Sequence, residues 1–299
     1  MDFEQILDKI RPDTHKTLAV AAAEDDVVLQ AVCEAHRRGI ATPVLCGDIE
    51  KIKSLAEQMG VDISPFELLP TKSNAESARA AVDLVRAGAA DALMKGMLQT
   101  ADLLRAVLDK EHGLRSGEVL SHVSILHSPV LQRMLLLTDA AMVPYPDLKT
   151  KIGILKNAVA AARGMGIACP RVAPLAAVEV VNPNMQATID AALLTVMNRR
   201  GQISGCTVDG PLAMDLALSP DAVTHKGIES EVAGRADILL FHNIEAANSA
   251  LKTFTIAGEC LFGGVVMGAN APIVLTSRSD SEQSKLYSIA CAVSICGAQ

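Results

Sequence analysis

Short apolar runs alternate with amphipathic segments over almost the whole length of the 299-residue sequence. Apolar runs bounded by turn residues are typical of buried strands, and apolar residues three and four apart are typical of the helices that cover them. Predicted strands occupy residues 17–22, 42–46, 92–95, 121–126, 135–138, 171–175, 206–209, 238–241, 263–267 and 272–276. Predicted helices occupy residues 25–38, 49–59, 73–88, 100–108, 148–165, 185–199, 211–218, 245–257 and 282–295.

Two helices near the start of the chain have clear boundary signals. Asp25 is predicted to cap the helix that follows it, and Gly39 to end that helix. Ser73 and Glu76 have the spacing of a capping box, which predicts a helix that begins there and ends at Gly88.

The connections between strands and helices are short, which predicts parallel sheets with helices on both faces. Residues 121–126 and 135–138 lack a helix between them, so we expect an antiparallel pair inserted into an otherwise parallel sheet. A proline-rich segment at 143–147 is the best candidate for a domain boundary. Ligands of such folds bind at the carboxyl ends of strands.

Length and composition narrow the class of protein. A chain of 299 residues is long enough to form two lobes. With five Phe, two Tyr and no Trp, its core must be largely aliphatic. The net charge of −7, without a dense Lys/Arg stripe, argues against nucleic acid as a partner.

The same sequence predicts a cytoplasmic protein. No apolar run approaches the roughly 18 residues needed to span a membrane, and the acidic start lacks the basic region of a signal peptide. The seven cysteines are odd in number and form no Cys-x-x-Cys motif, which argues against a zinc site or a disulfide framework. No carboxylate cluster indicates a divalent metal, so no metal is expected.

The first candidate site is the segment from Lys95 to Arg105. Lys95 ends a predicted strand, Thr100 is a possible cap of the next helix, and Arg105 lies five residues further on. These side chains could bind an anionic substrate at a strand end. A capped surface helix with a solvated arginine explains the spacing equally well.

The second and third candidates lie in the middle of the chain. Asp139 follows a predicted strand next to the hinge, where it either lines a cleft or fixes a turn. Asn248 and Lys252 are four residues apart on one helix face, close enough to hold one polar group of a substrate. A solvent-exposed pair is the alternative. The histidines have no partner at triad or ligand spacing and are interpreted as surface or structural.

The fourth candidate combines a hydroxyl, a guanidinium and a carboxylate at the end of the last predicted strand. Ser277, Arg278 and Asp280 precede a predicted helix, whose N-terminus would add unpaired N–H groups to an anion site. An ordinary strand-to-helix turn with an aspartate cap has the same order of parts.

Taken in order, these segments resemble the phosphate acetyl/butyryltransferase family. The resemblance covers most of the chain and is strongest over residues 91–108, 137–146, 208–216, 230–252 and 268–280. Within the family, residues 272–281 look like the butyryl branch.

The resemblance implies a fold and a reaction. The fold would be α/β, with two doubly wound domains of the isocitrate/isopropylmalate dehydrogenase-like type and an interdomain cleft. Because the C-terminal segment returns to the first domain in that layout, the expected domains are 1–142 plus 267–299, and 143–266. The reaction would convert acyl-CoA and phosphate into acyl phosphate and CoA by direct attack. Coenzyme A would be a substrate or product, no further cofactor would be needed, and a homodimer or higher homo-oligomer is expected.

The resemblance also implies roles for individual residues. Arg105 matches an arginine that contacts phosphate or acyl phosphate, and Ser277 and Arg278 match a Ser-Arg pair at the reacting centre. The acetyl branch has its catalytic aspartate seven residues after the serine, where this chain has Ser284. Asp280 or Glu282 would have to substitute, and Asp280 is preferred because it lies near Arg278.

Three alternatives stay open on the sequence. The first is a phosphate acetyltransferase, which performs the same chemistry with a smaller acyl pocket. The second is an NAD-linked hydroxyacid dehydrogenase of the same fold, although a nicotinamide signature and a metal-binding carboxylate set are missing. The third is a non-catalytic sensor of acyl-CoA or acyl phosphate.

Overall fold

A computed structural model of the protein describes residues 2–10, 16–277 and 280–296. Its helices are α1 Phe3–Lys9, α2 Asp26–Arg37, α3 Ile49–Met59, α4 Asn74–Arg86, α5 Thr100–Val107, α6 Leu148–Gly164, α7 Gln186–Arg199, α8 Met214–Leu218, α9 Pro220–Lys226, α10 Ile244–Ile256 and α11 Glu282–Cys296. Its strands are β1 Thr17–Ala21, β2 Thr42–Gly47, β3 Glu67–Pro70, β4 Ala92–Lys95, β5 Ser121–Ser128, β6 Arg133–Thr138, β7 Arg171–Pro174, β8 Thr207–Val208, β9 Ile238–Leu240, β10 Leu261–Met267 and β11 Ile273–Val274.

The described residues form two compact units, within 1–118 plus 262–299 and within 119–261. The sequence placed the boundaries at 142/143 and 266/267 instead. The first boundary differs because β5 pairs with β6, and β6 pairs with β9. These hydrogen bonds join residues 121–138 to the second unit, although they precede the proline-rich segment.

The first unit contains a sheet in the order β3-β2-β1-β4-β11-β10. Strands β1 to β4 and β11 are parallel, and β10 runs antiparallel to β11. The chain returns to this unit at its end, where Ile273 of β11 pairs with Leu93 of β4. The carboxyl ends of β4 and β11 therefore lie side by side.

The second unit contains a sheet in the order β5-β6-β9-β7-β8. The antiparallel pairing of β5 and β6 confirms the insertion predicted from the missing helix. Strands β6, β9, β7 and β8 are parallel, so their carboxyl ends share one edge. The α/β fold class is thus confirmed.

Local signals account for many of the helix boundaries. The Asp25 side chain accepts a hydrogen bond from the Val28 N–H and caps α2. Ser73 caps α4 through the Glu76 N–H, as predicted, but the Glu76 carboxylate accepts from the Lys72 N–H instead of the Ser73 N–H. Elements α1, β3 and α9 were not predicted.

The core is aliphatic, as the composition predicts. Ala19, Val20, Leu93 and Met94 are completely or almost completely buried in neighbouring strands β1 and β4. Among the described residues, no helix is long and apolar enough to cross a membrane.

Candidate functional site

The first unit has a pocket at the carboxyl ends of β4 and β11. Its lining includes Lys95, Thr276, Ser277 and Lys285, together with Asp25 at the start of α2. Lys95 is buried and donates to the Gly96 carbonyl at 3.2 Å. Two lysines and a serine therefore line one small pocket, and the cationic side chain of Lys95 suits an anionic group there.

Gly96 allows the chain to pass close to β1 after Lys95. A Cβ at this position would lie 2.1 Å from the Ala22 carbonyl oxygen, which is backbone and cannot move aside. The Gly96 N–H donates to the Ala21 carbonyl and the Met97 N–H to the Ala22 carbonyl. These contacts fix the backbone that carries Lys95 into the pocket.

Ser277 and Asp280 form a hydrogen-bonded turn beside this pocket. The Ser277 N–H donates to Asp280 Oδ2 at 2.7 Å, and the Asp280 N–H donates to the Ser277 carbonyl at 3.2 Å. The buried Lys285 Nζ donates to both main-chain carbonyls, at 2.9 Å to Ser277 and 3.2 Å to Asp280. Arg278, the third residue of the predicted catalytic group, lies outside the described residues.

Thr100 and Arg105 lie on α5, which begins five residues after Lys95 at the end of β4. Gln99, not Thr100, occupies the N-cap position of α5 and makes no side-chain cap, so the possible capping role of Thr100 is not observed. The Arg105 side chain is 75% exposed and pairs with Asp102 at 2.8 Å. An exposed ion pair of this kind adds little stability, which leaves the guanidinium available to a ligand.

Asp139 fixes a turn in the second unit. One of its oxygens accepts from the Ala141 and Met142 N–H groups, and the other accepts from the Val143 N–H. Burial raises the pKa of this carboxyl, while the N–H bonds oppose the shift. Of the two roles considered from the sequence, turn formation is the one with visible contacts.

Asn248 joins α10 to the same turn by donating to the Ala140 carbonyl at 3.0 Å. Lys252 is exposed one helical turn further along and forms no ion pair with any described residue. The structure therefore brings Asp139, Asn248 and Lys252 into one neighbourhood of the second unit, and Lys95, Ser277 and Asp280 into one neighbourhood of the first.

The second unit also contains a buried network that the sequence did not indicate. Lys151 Nζ lies 2.5 Å from Asp190 Oδ2 and 2.8 Å from His242 Nδ1, and Gln186 donates to the other Asp190 oxygen. A lysine ammonium has only donors, so His242 Nδ1 accepts and the ring hydrogen is on Nε2. Burial and the Lys151 charge lower the pKa of His242.

His242 therefore lies next to a strand end and contacts Lys151 and Asp190. The spacing of residues in the sequence predicts no such partner for any histidine. Its partners are 91 and 52 positions away in the sequence, so no local spacing could have revealed them. Among the residues that the structure describes, no group of three or more His, Cys, Asp or Glu side chains is arranged to hold a metal ion.

Known proteins resemble this chain over nearly its full length. The sequence matches the family described as Phosphate acetyl/butaryl transferase over residues 2–79 and 70–293. It is 48% identical over 295 residues to a phosphate butyryltransferase of Clostridium acetobutylicum, a match that covers 99% of this chain and 98% of the relative. It is 42% identical over 275 residues to a phosphate acetyltransferase of Thermotoga maritima, covering 92% of this chain and 93% of the relative.

A solved structure of similar sequence supports the same grouping. The branched-chain phosphotransacylase from Enterococcus faecalis V583 superimposes with a TM-score of 0.85 at 33% identity. The match covers 94% of this chain and 99% of the other.

Proposed function

The chain belongs to the phosphate acetyl/butyryltransferase family and is a phosphate acyltransferase, and we propose that it transfers butyryl or a similar short acyl group between CoA and phosphate. The observation that carries this proposal is the 48% identity to a phosphate butyryltransferase across 99% of the chain. The pocket lined by Lys95 and Ser277 supports it, because it combines a lysine and a serine where an anionic substrate would bind.

In the proposed reaction, a phosphate oxygen attacks the thioester carbonyl carbon of acyl-CoA. Negative charge builds on the carbonyl oxygen, the carbon–sulfur bond breaks, and the CoA thiolate leaves and takes up a proton. Donors fixed before the reaction lower the barrier because they need no rearrangement as charge develops. Attack occurs with both substrates bound, so no acyl-enzyme forms.

Ser277, Arg278 and Asp280 are the proposed catalytic residues. The Ser277 hydroxyl lies on a turn whose backbone is held by hydrogen bonds at both ends, which suits a fixed donor. Arg278 has its role from the family resemblance alone. Asp280 is the proposed carboxylate base for the CoA thiol in the direction of acyl-CoA synthesis.

Substrate binding is proposed for residues of both units. Lys95, Thr100 and Arg105 follow β4 in the first unit, where cations favour the phosphate group. Asn248 and Lys252, near the Asp139 turn, provide an amide and an ammonium for polar groups of CoA. The proposed protein is a cytoplasmic homodimer or higher homo-oligomer that uses CoA as substrate or product without a further cofactor.

Thiol release from acetyl-, propionyl-, butyryl- and isobutyryl-CoA, with and without phosphate, tests this function. We expect phosphate-dependent release with the highest kcat/KM at four carbons. One methylene is worth about 1–3 kcal/mol in a hydrophobic pocket, so neighbouring chain lengths should differ by roughly tenfold or more. Without phosphate, no burst of thiol is expected, because no acyl-enzyme forms.

Ser277→Ala serves as the control that assigns the activity to this chain. A maximum at acetyl-CoA would favour the acetyltransferase alternative. Absence of phosphate-dependent release from every substrate would contradict the proposed acyl groups. The dehydrogenase alternative rested on fold analogy, and the sequence relatives do not support it.

A further inference from the structure

Lys285 has an unusual position for a lysine. It is the fourth residue of α11, and only 3% of it is exposed. Its Nζ donates to the main-chain carbonyls of Ser277 and Asp280 at 2.9 Å and 3.2 Å. A charged side chain is therefore buried against a backbone turn.

Several costs oppose an ammonium at this place. Burial removes it from water, and the pKa of Lys285 is lowered for that reason. No carboxylate of the described residues lies within ion-pair distance of its Nζ, although Asp280 and Asp25 contribute favourable charge from further away. Near the start of α11 the positive end of the helix dipole disfavours a cation. A contribution to the stability of the folded protein is therefore a weak explanation for a lysine at position 285.

The contacts of Lys285 have a local geometric effect. Ser277 and Asp280 already bond to each other through the Ser277 N–H and the Asp280 carboxylate. The ammonium therefore connects α11 to the main chain at both Ser277 and Asp280. Ser277 is thereby held at the pocket that Lys95 also lines.

We propose that Lys285 is a positioning residue for acyl transfer, which fixes the Ser277–Asp280 turn so that the Ser277 hydroxyl meets the reacting thioester. The inference rests on the proposed function, because it takes Ser277 as part of the reacting centre. It adds a residue that has no role predicted from the sequence and that acts through the main-chain carbonyls of Ser277 and Asp280.

Lys285→Met tests the proposal, because methionine is an unbranched side chain of nearly the same length that has no hydrogen-bond donor. We expect kcat to fall by about 30-fold or more, since displacement of a catalytic group by about 1 Å can cost roughly 100-fold. The KM for acyl-CoA should change by less than about threefold, because Lys285 holds the turn and not the substrate. Gln283→Met on the same helix is the matched control, since Gln283 bonds to Tyr287 and not to the turn.

A double-mutant cycle separates positioning from a general loss of structure. If Lys285 acts through Ser277, adding Lys285→Met to Ser277→Ala should lower kcat by no more than about threefold further. Independent, additive losses would overturn the proposal, and so would a folded Lys285→Met enzyme with unchanged kcat.

Hydrogen exchange provides a measurement that does not depend on activity. Lys285→Met should speed amide exchange in the peptide that contains Ser277 and Asp280, whereas Gln283→Met should leave it unchanged. Unchanged protection in Lys285→Met would overturn the proposal even if the enzyme proved inactive on every acyl-CoA tested. If Lys285→Met does not fold, Lys285→Leu, which also has no side-chain donor, is measured by the same criteria.

Discussion

Burial controls the protonation of single side chains in the second unit. His122 on β5 is buried, with its Nδ1 3.2 Å from the Ser124 hydroxyl, and burial lowers the pKa of His122 to about 4. Burial shifts the pKa of Asp139 upwards and that of His242 downwards. In each case burial favours the uncharged form, because the protein interior stabilises a charge less well than water does.

The shift at His122 predicts acid sensitivity of the fold. Well above pH 6.5 this histidine is neutral in the folded and unfolded states, so it contributes no penalty. As the pH falls from 6.5 to 4, the unfolded state takes up a proton that the folded state does not bind, and the free energy of unfolding decreases. With 1.36 kcal/mol per pKa unit, the loss approaches roughly 3 kcal/mol.

Urea unfolding of wild type and His122→Gln between pH 4.5 and 7.5 measures this effect. The variant starts from its own stability at neutral pH, but its free energy of unfolding should fall less steeply on acidification than that of the wild type. Equal slopes for the two proteins would show that His122 does not cause the acid sensitivity.

Helices α6 and α7 are joined by a buried charge pair. Lys151 and Asp190 are 3% and 7% exposed in their side chains, and their charged atoms lie 2.5 Å apart. Removing one partner of such a pair leaves a buried charge without compensation, which is more costly than removing both.

Lys151→Met should therefore lower the free energy of unfolding by about 3–5 kcal/mol, as chemical denaturation would measure. Lys151→Met combined with Asp190→Leu should recover much of that loss. Lys16→Met is the matched control, because the Lys16–Asp91 pair is partly exposed and should cost less than about 1 kcal/mol. Equal losses in the two single lysine variants would contradict this explanation.

Strands and helices with strong local patterns were predicted well. The β5–β6 pair and the cap at Asp25 followed from short-range sequence features. Strand β3 was missed because it is short and poorly buried, and forms at the sheet edge through hydrogen bonds to β2. Such an element depends on its neighbour more than on its own residues.

The C-terminal segment completes the first unit after the chain has formed the second. Strand β11 pairs with β4, and Tyr287 on α11 stacks on Phe3 of α1 with ring centroids 4.1 Å apart. Most of α11 is buried, including its central residues 285–293. Folding of the first unit therefore needs residues from both ends of the chain.

A chain that ends at Leu261 should consequently fail to fold its first unit. The truncated β4 would lose a partner strand, and the apolar surface covered by α11 would face water. Hydrogen exchange would then show peptides within 16–118 unprotected, whereas a control chain ending at Cys296 should protect them as the full chain does. Equal protection in the two chains would contradict this view of the segment.

The α/β class, the antiparallel insertion and the family membership all follow from the order of residues, because periodicity, caps and motifs are short-range features. Sequence also selected Lys95, Ser277 and Asp280, which the fold brings to one edge of the first unit. The bonds of Lys285 to the Ser277–Asp280 turn, the Lys151–Asp190–His242 network and the boundary near residue 119 emerged only on folding. All three features depend on the direction of side chains or on the pairing of strands. The spacing of residues along the chain specifies neither the side-chain directions nor the strand pairing.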